Sequence, residues 1–208
     1  MTNINIPKSL LKILDQNPVL KARVVIDFSD FEIWIANSCV PFFRGYTDHG
    51  PKHINEVLVS AASIITDKSK RIITAEDVAV LCISVLLHDV AMHLTEDGFI
   101  NLIGDGQPGI KSELDGDKSW KLMWEEFTSD ASRWDGRKLI KIFGDDDPLD
   151  IKRLNSNLNN LSEKDKLLIG EFIRKYHTRL AHEIALWGVP GPCPVEERIK
   201  LKSLSGEL

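Results

Sequence analysis

Residues 74–89 read TAEDVAVLCISVLLHD, and this stretch decides the fold class. Thr74 followed by Asp77 resembles a capping box, which predicts that a helix begins here. The positions that follow the cap are apolar almost all round, so we expect this helix to lie in the core. It carries the adjacent pair His88-Asp89 at its C-terminal end. A charged Asp after such an apolar run is costly to bury unless it is paired or bound to a metal.

The rest of the chain also predicts helices, with prolines placed at first-turn positions and a second capping box at Ser162 and Asp165. The composition of segment 29–40 leaves helix and strand open, and its surroundings favour helix. The Gly- and Asp-rich residues 94–118 predict a loop-rich insertion with little regular structure. We therefore expect an all-α bundle in one domain, residues 1–208. The other predicted helices cover residues 7–14, 51–67, 119–133, 136–143 and 162–187.

Composition narrows the classes of protein to which the chain can belong. The formal net charge of -5 argues against a general nucleic-acid binder or a protein that binds anionic membranes. The three cysteines, Cys39, Cys82 and Cys193, form no CxxC pair, which is typical of a reduced intracellular protein. No apolar run is long enough to span a bilayer and no signal peptide is recognisable, so a cytoplasmic location without a membrane partner is expected.

Histidines beside carboxylates are the residues best suited to chemistry. Adjacent residues on a helix point about 100° apart, so His88 and Asp89 can both reach one ion beside the helix end. His53 falls on the first turn of another predicted helix, from which its imidazole can point toward a neighbouring element, and His49 lies just before it. The alternative is that the helix simply ends at His88 with both groups solvated, and that His49 caps a turn.

These features resemble the HD superfamily of metal-dependent phosphohydrolases. The matching stretches are YTDHGPKHINEV at 46–57 and LLHDVAMH at 86–93. Two further stretches resemble HD domains of bacterial multidomain proteins that often precede a GHKL (heat-shock-chaperone-like) ATPase domain. These are WKLMWEEFTSDASRWDGRKLIKIFG at 120–144 and LLIGEFIRKYHTRLAHEIALWG at 167–188. The resemblance covers roughly residues 40–190 and implies an HD-type helical bundle.

The resemblance implies a divalent metal ion, such as Mn, Mg, Fe, Ni or Zn, held by named residues. His53 matches the first ligand, and His88 and Asp89 match the pair that names the superfamily. His177 matches a position where dinuclear members place another histidine. Asp89 would also orient the attacking water as a catalytic residue. His93 could act as a catalytic proton donor lining the pocket, or simply cap the helix end.

Phosphate-binding groups should lie around that metal. His49, Lys52, Arg174 and His182 are the candidates for substrate binding. Arg174 precedes His177 by about one helical turn, so the two can share a face. Alternatively, the basic residues lie on an exposed helix face, and His182 is either a core residue or one that contacts a metal ligand without binding the ion.

Other conspicuous groups have plainer interpretations. Lys175 and Arg179 could hold phosphate, but Arg179 could equally pair with Glu183 four residues later. Trp120 and Trp124 form a stripe that predicts a core face rather than a base-stacking platform. The acidic run at 145–147 predicts a solvated loop rather than a metal site.

One departure from the superfamily pattern concerns its closing Asp on a later helix. The chain has no Asp after Asp165. Either another acidic residue or His177 takes its place, or the 208 residues end before that helix. Two functions follow: a phosphohydrolase or phosphodiesterase that uses metal-activated water on a nucleotide-derived phosphate ester, or a regulatory module that binds metal or nucleotide and signals to a partner domain. A purely structural helical domain is the third interpretation.

Overall fold

The structure is a computed structural model that describes residues 4–46, 49–104, 118–193 and 197–201. Within these ranges the chain forms α-helices and short 3-10 helices without a strand, which confirms the all-α class. The 3-10 helices are Ser69–Arg71 and Val90–His93. The α-helices are α1 Lys8–Leu14, α2 Pro18–Asn37, α3 Pro51–Ile64, α4 Ala75–Leu87, α5 Glu96–Ile103, α6 Trp120–Ala131, α7 Gly136–Phe143, α8 Ile151–Ser156 and α9 Glu163–Trp187.

Local capping signals determine where several helices begin. Both predicted capping boxes are present, with Thr74 and Asp77 at the start of α4 and Ser162 and Asp165 at the start of α9. Helix α2 begins earlier than predicted because the Asn17 side chain accepts a hydrogen bond from a first-turn amide, and proline follows it at the first helical position. The segment 29–40 is therefore mostly the second half of a longer helix.

Helix α4 lies at the centre of the first half of the chain, as its apolar sequence predicts. Helices α1, α2 and α3 all pack against it. Its buried side chains point in several directions and are those of Ala75, Val78, Ala79, Cys82, Val85 and Leu86. Burial also raises the pKa of the Cys82 thiol to about 12, so this cysteine is a neutral core residue.

No single helix in the described ranges is long and apolar enough to cross a membrane. Only Ala75–His93 joined with Glu96–Ile103 meets the length and composition requirements, as a pair bent by 90°.

An aromatic cluster around Phe172 of α9 forms the core of the second half. Its rings meet at centroid distances between 5.1 and 6.2 Å, mostly edge to face, which is a favourable geometry for aromatic pairs. The predicted core role of the tryptophan stripe is therefore confirmed. The rings that contact Phe172 are those of Phe99, Trp120, Trp124, Phe127 and Tyr176.

The predicted loop-rich insertion at 94–118 is wrong for its first part. Thr95 caps α5 by accepting a hydrogen bond from the Gly98 amide, and Phe99 on this helix is fully buried. Burial of an aromatic side chain outweighs the weak helix propensity of the Gly- and Asp-rich surroundings. Residues 105–117 lie outside the described residues. Helix α8, capped by Asp150, was also not predicted from the sequence.

A buried polar network joins α6 to α9. Arg179 and Glu183 are 2% and 7% exposed, and the Arg179 Nε donates to the Glu183 carboxylate at 2.8 Å. The Trp120 indole N–H donates to the other oxygen of Glu183 at 2.6 Å, and Arg179 also donates to the Lys118 carbonyl at 2.8 Å. The structure thus places Arg179 in the i,i+4 pair with Glu183 that the sequence offered as the alternative to phosphate binding.

Gly170 allows α9 to approach the segment after α2 more closely than any other residue could. A Cβ atom at this position would lie 2.4 Å from the Phe42 carbonyl oxygen, which belongs to the backbone and cannot rotate away. The glycine is therefore required by packing between α9 and residue Phe42, although it lies in the middle of a helix.

Replacing Gly170 by alanine is expected to destabilise the protein by about 1–3 kcal/mol, because overpacking against the backbone outweighs the gain of about 1 kcal/mol in helix propensity. Urea unfolding of the variant measures this free energy. Gly136→Ala is the matched control, since a Cβ there meets its nearest atom at an ordinary 3.5 Å. A Gly170→Ala protein as stable as the control would show that the close approach does not exist in solution.

Candidate metal centre

Two separate segments bring histidines and a carboxylate together at one end of α3 and α4. Gly50 and Pro51 begin α3, so His53 falls within its first turn. His88 is the C-cap residue that follows α4 and keeps helical φ and ψ of −56° and −38°, whereas Asp89 has φ −114° and ψ 9° and leaves the helical path. This change of direction at Asp89 turns its carboxylate toward the start of α3.

Three imidazoles converge on a single carboxylate oxygen, Oδ2 of Asp89. The distances to that oxygen are 2.8 Å from His88 Nε2, 2.9 Å from His49 Nδ1 and 3.5 Å from His53 Nε2. The His53 and His88 Nε2 atoms lie 3.2 Å apart. We call these four residues the His/Asp cluster; all are partly buried, with side chains 16% to 36% exposed.

The orientation of His88 makes its inward nitrogen available as a ligand. Its Nδ1 lies 2.7 Å from the Val85 carbonyl oxygen and must donate to it, because a carbonyl only accepts. Nε2 lies 2.8 Å from Asp89 Oδ2, so it donates to that carboxylate while it carries a proton and becomes a ligand atom when a metal displaces that proton. A backbone partner that fixes the tautomer in this way is typical of histidines that bind metals.

The spacing of the ligand atoms also suits an ion. Metal bonds of about 2.0–2.2 Å to nitrogen and oxygen place neighbouring ligand atoms roughly 3.0–3.4 Å apart. The distances from the three histidine nitrogens to Asp89 Oδ2, and the distance between the Nε2 atoms of His53 and His88, lie between 2.8 and 3.5 Å. One ligand atom each from His49, His53 and Asp89 also lies within 4.8 Å of the other two. These residues could therefore hold a divalent ion.

Hydrogen bonding keeps Asp89 ionised. The bond from His88, which outweighs the opposing effect of burial, and the weaker bond from His49 lower the pKa of Asp89 to about 2. In return, the hydrogen bond to Asp89 raises the pKa of His88 above its usual 6.5 despite partial burial. The cluster thus holds a carboxylate at neutral pH beside an imidazole that competes for a proton.

Metal affinity is expected to fall as the pH falls, because a metal and a proton compete for His88 Nε2. The raised pKa of His88 means that protonation begins above the usual range, while Asp89 stays ionised down to about 2. Below the His88 pKa, the apparent affinity should drop about tenfold per pH unit for one displaced proton. Calorimetric Mn²⁺ titrations between about pH 8 and about pH 6 measure this, and equal affinity at both ends would contradict it.

His93 lies behind the cluster rather than in it. It is 3% exposed, its Nε2 donates to the His49 carbonyl at 3.1 Å, and its Nδ1 is hydrogen-bonded to the Ser38 hydroxyl. These contacts are those of a residue that positions the His49 backbone. The sequence offered His93 as a proton donor lining the pocket, and its burial does not favour that role.

A groove with a volume of about 640 Å³ extends from His88 between α2, α4 and the C-terminal part of α9. His177 and His182 both line it, although they do not belong to the His/Asp cluster. His177 Nδ1 donates to the Arg174 carbonyl at 2.9 Å, and its Nε2 accepts a long hydrogen bond from the Thr178 hydroxyl at 3.5 Å. The remaining lining is largely apolar and includes Val80, Ile83, Leu87 and Ala181.

The basic residues predicted to bind substrate lie away from this groove. Lys52 is 81% exposed and lies 3.9 Å from Glu56. Arg174 pairs with Glu171 at 2.5 Å and lines a different cavity from His177. Because Tyr176 has non-helical φ and ψ of −116° and 15°, α9 is kinked between Arg174 and His177, and the face they were predicted to share is interrupted.

Sequence reasoning placed His49 among the substrate-binding groups, whereas the structure brings it to Asp89. His49 lies four residues before His53, a spacing that would place the two side chains on one face only if a single helix contained both. Because α3 begins after His49, this spacing does not predict their approach. The backbone contact with His93, 44 residues later, fixes the position of His49. No local pattern could have predicted that contact.

Comparison with known proteins adds one match. Residues 43–208 match the family model described as HD-CE. The matched region contains the whole His/Asp cluster and α3 to α9. No curated protein and no solved structure matches the chain in the corresponding comparisons.

Proposed function

This chain belongs to the HD-CE family, and we propose from that premise that it is a metal-dependent phosphohydrolase or phosphodiesterase. The proposed substrate is a nucleotide or a nucleotide-derived phosphate ester. The observation that carries the proposal is the convergence of three imidazoles on the ionised Asp89 carboxylate. Imidazole and carboxylate ligands in this number suit Mn, Fe, Ni or Zn, and Mg less well.

The residues that would hold the ion are His53, His88 and Asp89, with His49 beside them. When bound, a divalent ion supplies a water of lowered pKa and positive charge for the phosphoryl oxygens. Asp89 contributes a permanent negative charge, since its pKa lies far below neutrality. The Val85 carbonyl holds the His88 ring in the orientation that this role requires.

The groove beside His88 is the proposed place for the organic part of the substrate. Its volume of about 640 Å³ is within the usual range for small-molecule sites. His182 on its wall can donate a hydrogen bond to a phosphate group, and His177 lies beside it. Among the described residues that line the groove there is no lysine or arginine, which favours a substrate with few phosphates at this position.

A regulatory function is the second candidate. It is favoured by the departure from the superfamily pattern, since this sequence has no Asp after Asp165 and His177, a candidate to take the place of the closing Asp, lines the groove outside the His/Asp cluster. In this alternative the domain binds metal or nucleotide without turnover and signals to a partner domain, for which a GHKL-type ATPase is the proposed identity.

Metal analysis combined with turnover separates the two candidates. The purified chain is analysed for bound metals and then assayed on bis(p-nitrophenyl) phosphate and a nucleotide panel with Mn, Mg, Fe, Ni or Zn. Metal-dependent hydrolysis that disappears in His53→Ala and His88→Ala supports the enzyme. Stoichiometric metal without hydrolysis supports the regulatory module. A wild-type chain that binds no added metal would overturn the enzyme, and one that also binds no nucleotide of the panel would overturn the regulatory module.

A further inference from the structure

A second cavity, of about 660 Å³, lies between the segment after α2, helix α7 and the N-terminal half of α9. It shares no lining residue with the groove beside His88. The kink at Tyr176 divides α9 between the two cavities, with Arg174 before the kink and His177 after it. The second cavity is therefore a separate candidate binding site, which we call the basic pocket.

The charge of the basic pocket is opposite to that of the chain. Arg44, Lys138, Lys141 and Arg174 line it with Glu171 as the only described acidic residue, whereas the whole chain carries a net charge of -5. A concentration of cations inside a concave surface focuses the positive potential there. The preferred ligand of this pocket is accordingly an anion.

The present partners of these cations can be exchanged for a ligand. Arg44 pairs with Glu163 and Arg174 with Glu171, but the two arginine side chains are 66% and 59% exposed. Ion pairs at such exposed positions contribute little free energy. Lys141 forms no ion pair with any residue in the described part of the chain. Phosphate oxygens, which guanidinium groups bind in a bidentate manner, could therefore replace the carboxylates.

An aromatic surface lies beside the cations. The Phe43 and Tyr46 rings meet edge to face at 5.4 Å, and Phe43 is buried while Tyr46 is 52% exposed. Phe43 thus supports a Tyr46 ring whose remaining surface is open to a ligand. Aromatic rings in this setting stack on nucleobases.

We propose that the basic pocket binds a nucleoside polyphosphate, with its phosphates on Arg44, Lys141 and Arg174 and its base against Tyr46. The ligand is a single nucleotide rather than a nucleic-acid strand, because a strand needs an extended basic face and this positive region is confined to one cavity. The site is independent of the metal centre and would serve a nucleotide other than the one being hydrolysed.

Calorimetric titration with ATP in EDTA tests the proposal on the Asp89→Asn protein, so that neither metal nor turnover contributes. The double substitution Lys141→Glu/Arg174→Glu should weaken ATP binding by at least about tenfold, because two charged contacts are reversed. The control, Lys12→Glu/Lys8→Glu on α1, changes the total charge by the same amount and should leave the affinity within about twofold. Tyr46→Ala should reduce ATP affinity to that of inorganic tripolyphosphate.

Each other result would count against the proposal. Equal loss in the pocket and control variants would show that only overall charge matters. If adenosine bound as tightly as ATP, the phosphates would not contribute to binding. If a single-stranded RNA 12-mer bound more tightly than ATP, the ligand would be a nucleic acid instead. A dissociation constant weaker than about 1 mM for ATP in the unsubstituted pocket overturns the proposal outright. None of these results bears on metal binding at Asp89.

Discussion

Asp89→Asn is expected to weaken divalent metal binding by more than about 100-fold. Loss of a residue that only hydrogen-bonds to a metal ligand already costs about 10–100-fold, and Asp89 is proposed as a direct ligand. The substitution preserves the shape of the side chain but removes the negative charge on which His49, His53 and His88 converge. Asp89 is also the only carboxylate among the described residues of the cluster. Calorimetric Mn²⁺ titration at about pH 7.5 measures the effect.

The control for Asp89→Asn is Asp130→Asn. Asp130 is 64% exposed and pairs only with Arg133 at 3.0 Å among the described contacts, so its substitution removes one negative charge without touching the cluster. Metal affinity of this control should equal that of the wild type. An Asp89→Asn protein that retained wild-type affinity would show that the metal lies elsewhere.

Glu183→Ala is expected to reduce the free energy of unfolding by about 3–5 kcal/mol, which is the usual cost of removing one member of a buried ion pair. It leaves the Arg179 guanidinium buried at 2% exposure without its carboxylate, and it also removes the acceptor of the Trp120 indole N–H. Urea denaturation followed by tryptophan fluorescence measures the loss.

Two further proteins separate the network from a general effect of removing a glutamate. Glu126→Ala removes the partner of Lys118 from a pair whose side chains are 48% and 44% exposed, and should cost less than about 1 kcal/mol. The double substitution Arg179→Met/Glu183→Leu removes both charges and should recover much of the loss of Glu183→Ala. A single substitution no more harmful than Glu126→Ala would disprove the buried network.

The fold was predictable wherever the signal is local. The capping boxes at Thr74 and Ser162 and the apolar run of α4 each depend on residues within one or two turns, and the structure contains all of them. Helix α5 was missed because its stability comes from burial of Phe99 against Trp124, a contact between residues 25 positions apart. Helix α2 was predicted too short even though Asn17 followed by Pro18 is a local start signal.

The candidate site was predictable only in part, for the same physical reason. His53, His88 and Asp89 could be grouped from the helices that carry them. The approach of His49 to Asp89 depends on a loop path, and the separation of Arg174 from His177 depends on the dihedral angles of Tyr176. Neither is encoded by spacing along an ideal helix, which is the information that a sequence pattern provides.

The His/Asp cluster is assembled from two segments, one ending at His53 and the other beginning at His88, and they meet only in the folded chain. An ion that bridges them therefore binds the native state and has no comparable site in the unfolded ensemble. By mass action, free metal at about 100 times its dissociation constant would add about 2.7 kcal/mol to the free energy of unfolding. Metal bound at this cluster would thus raise the fraction of the protein that is folded, and with it the resistance to proteolysis, even where no substrate is present.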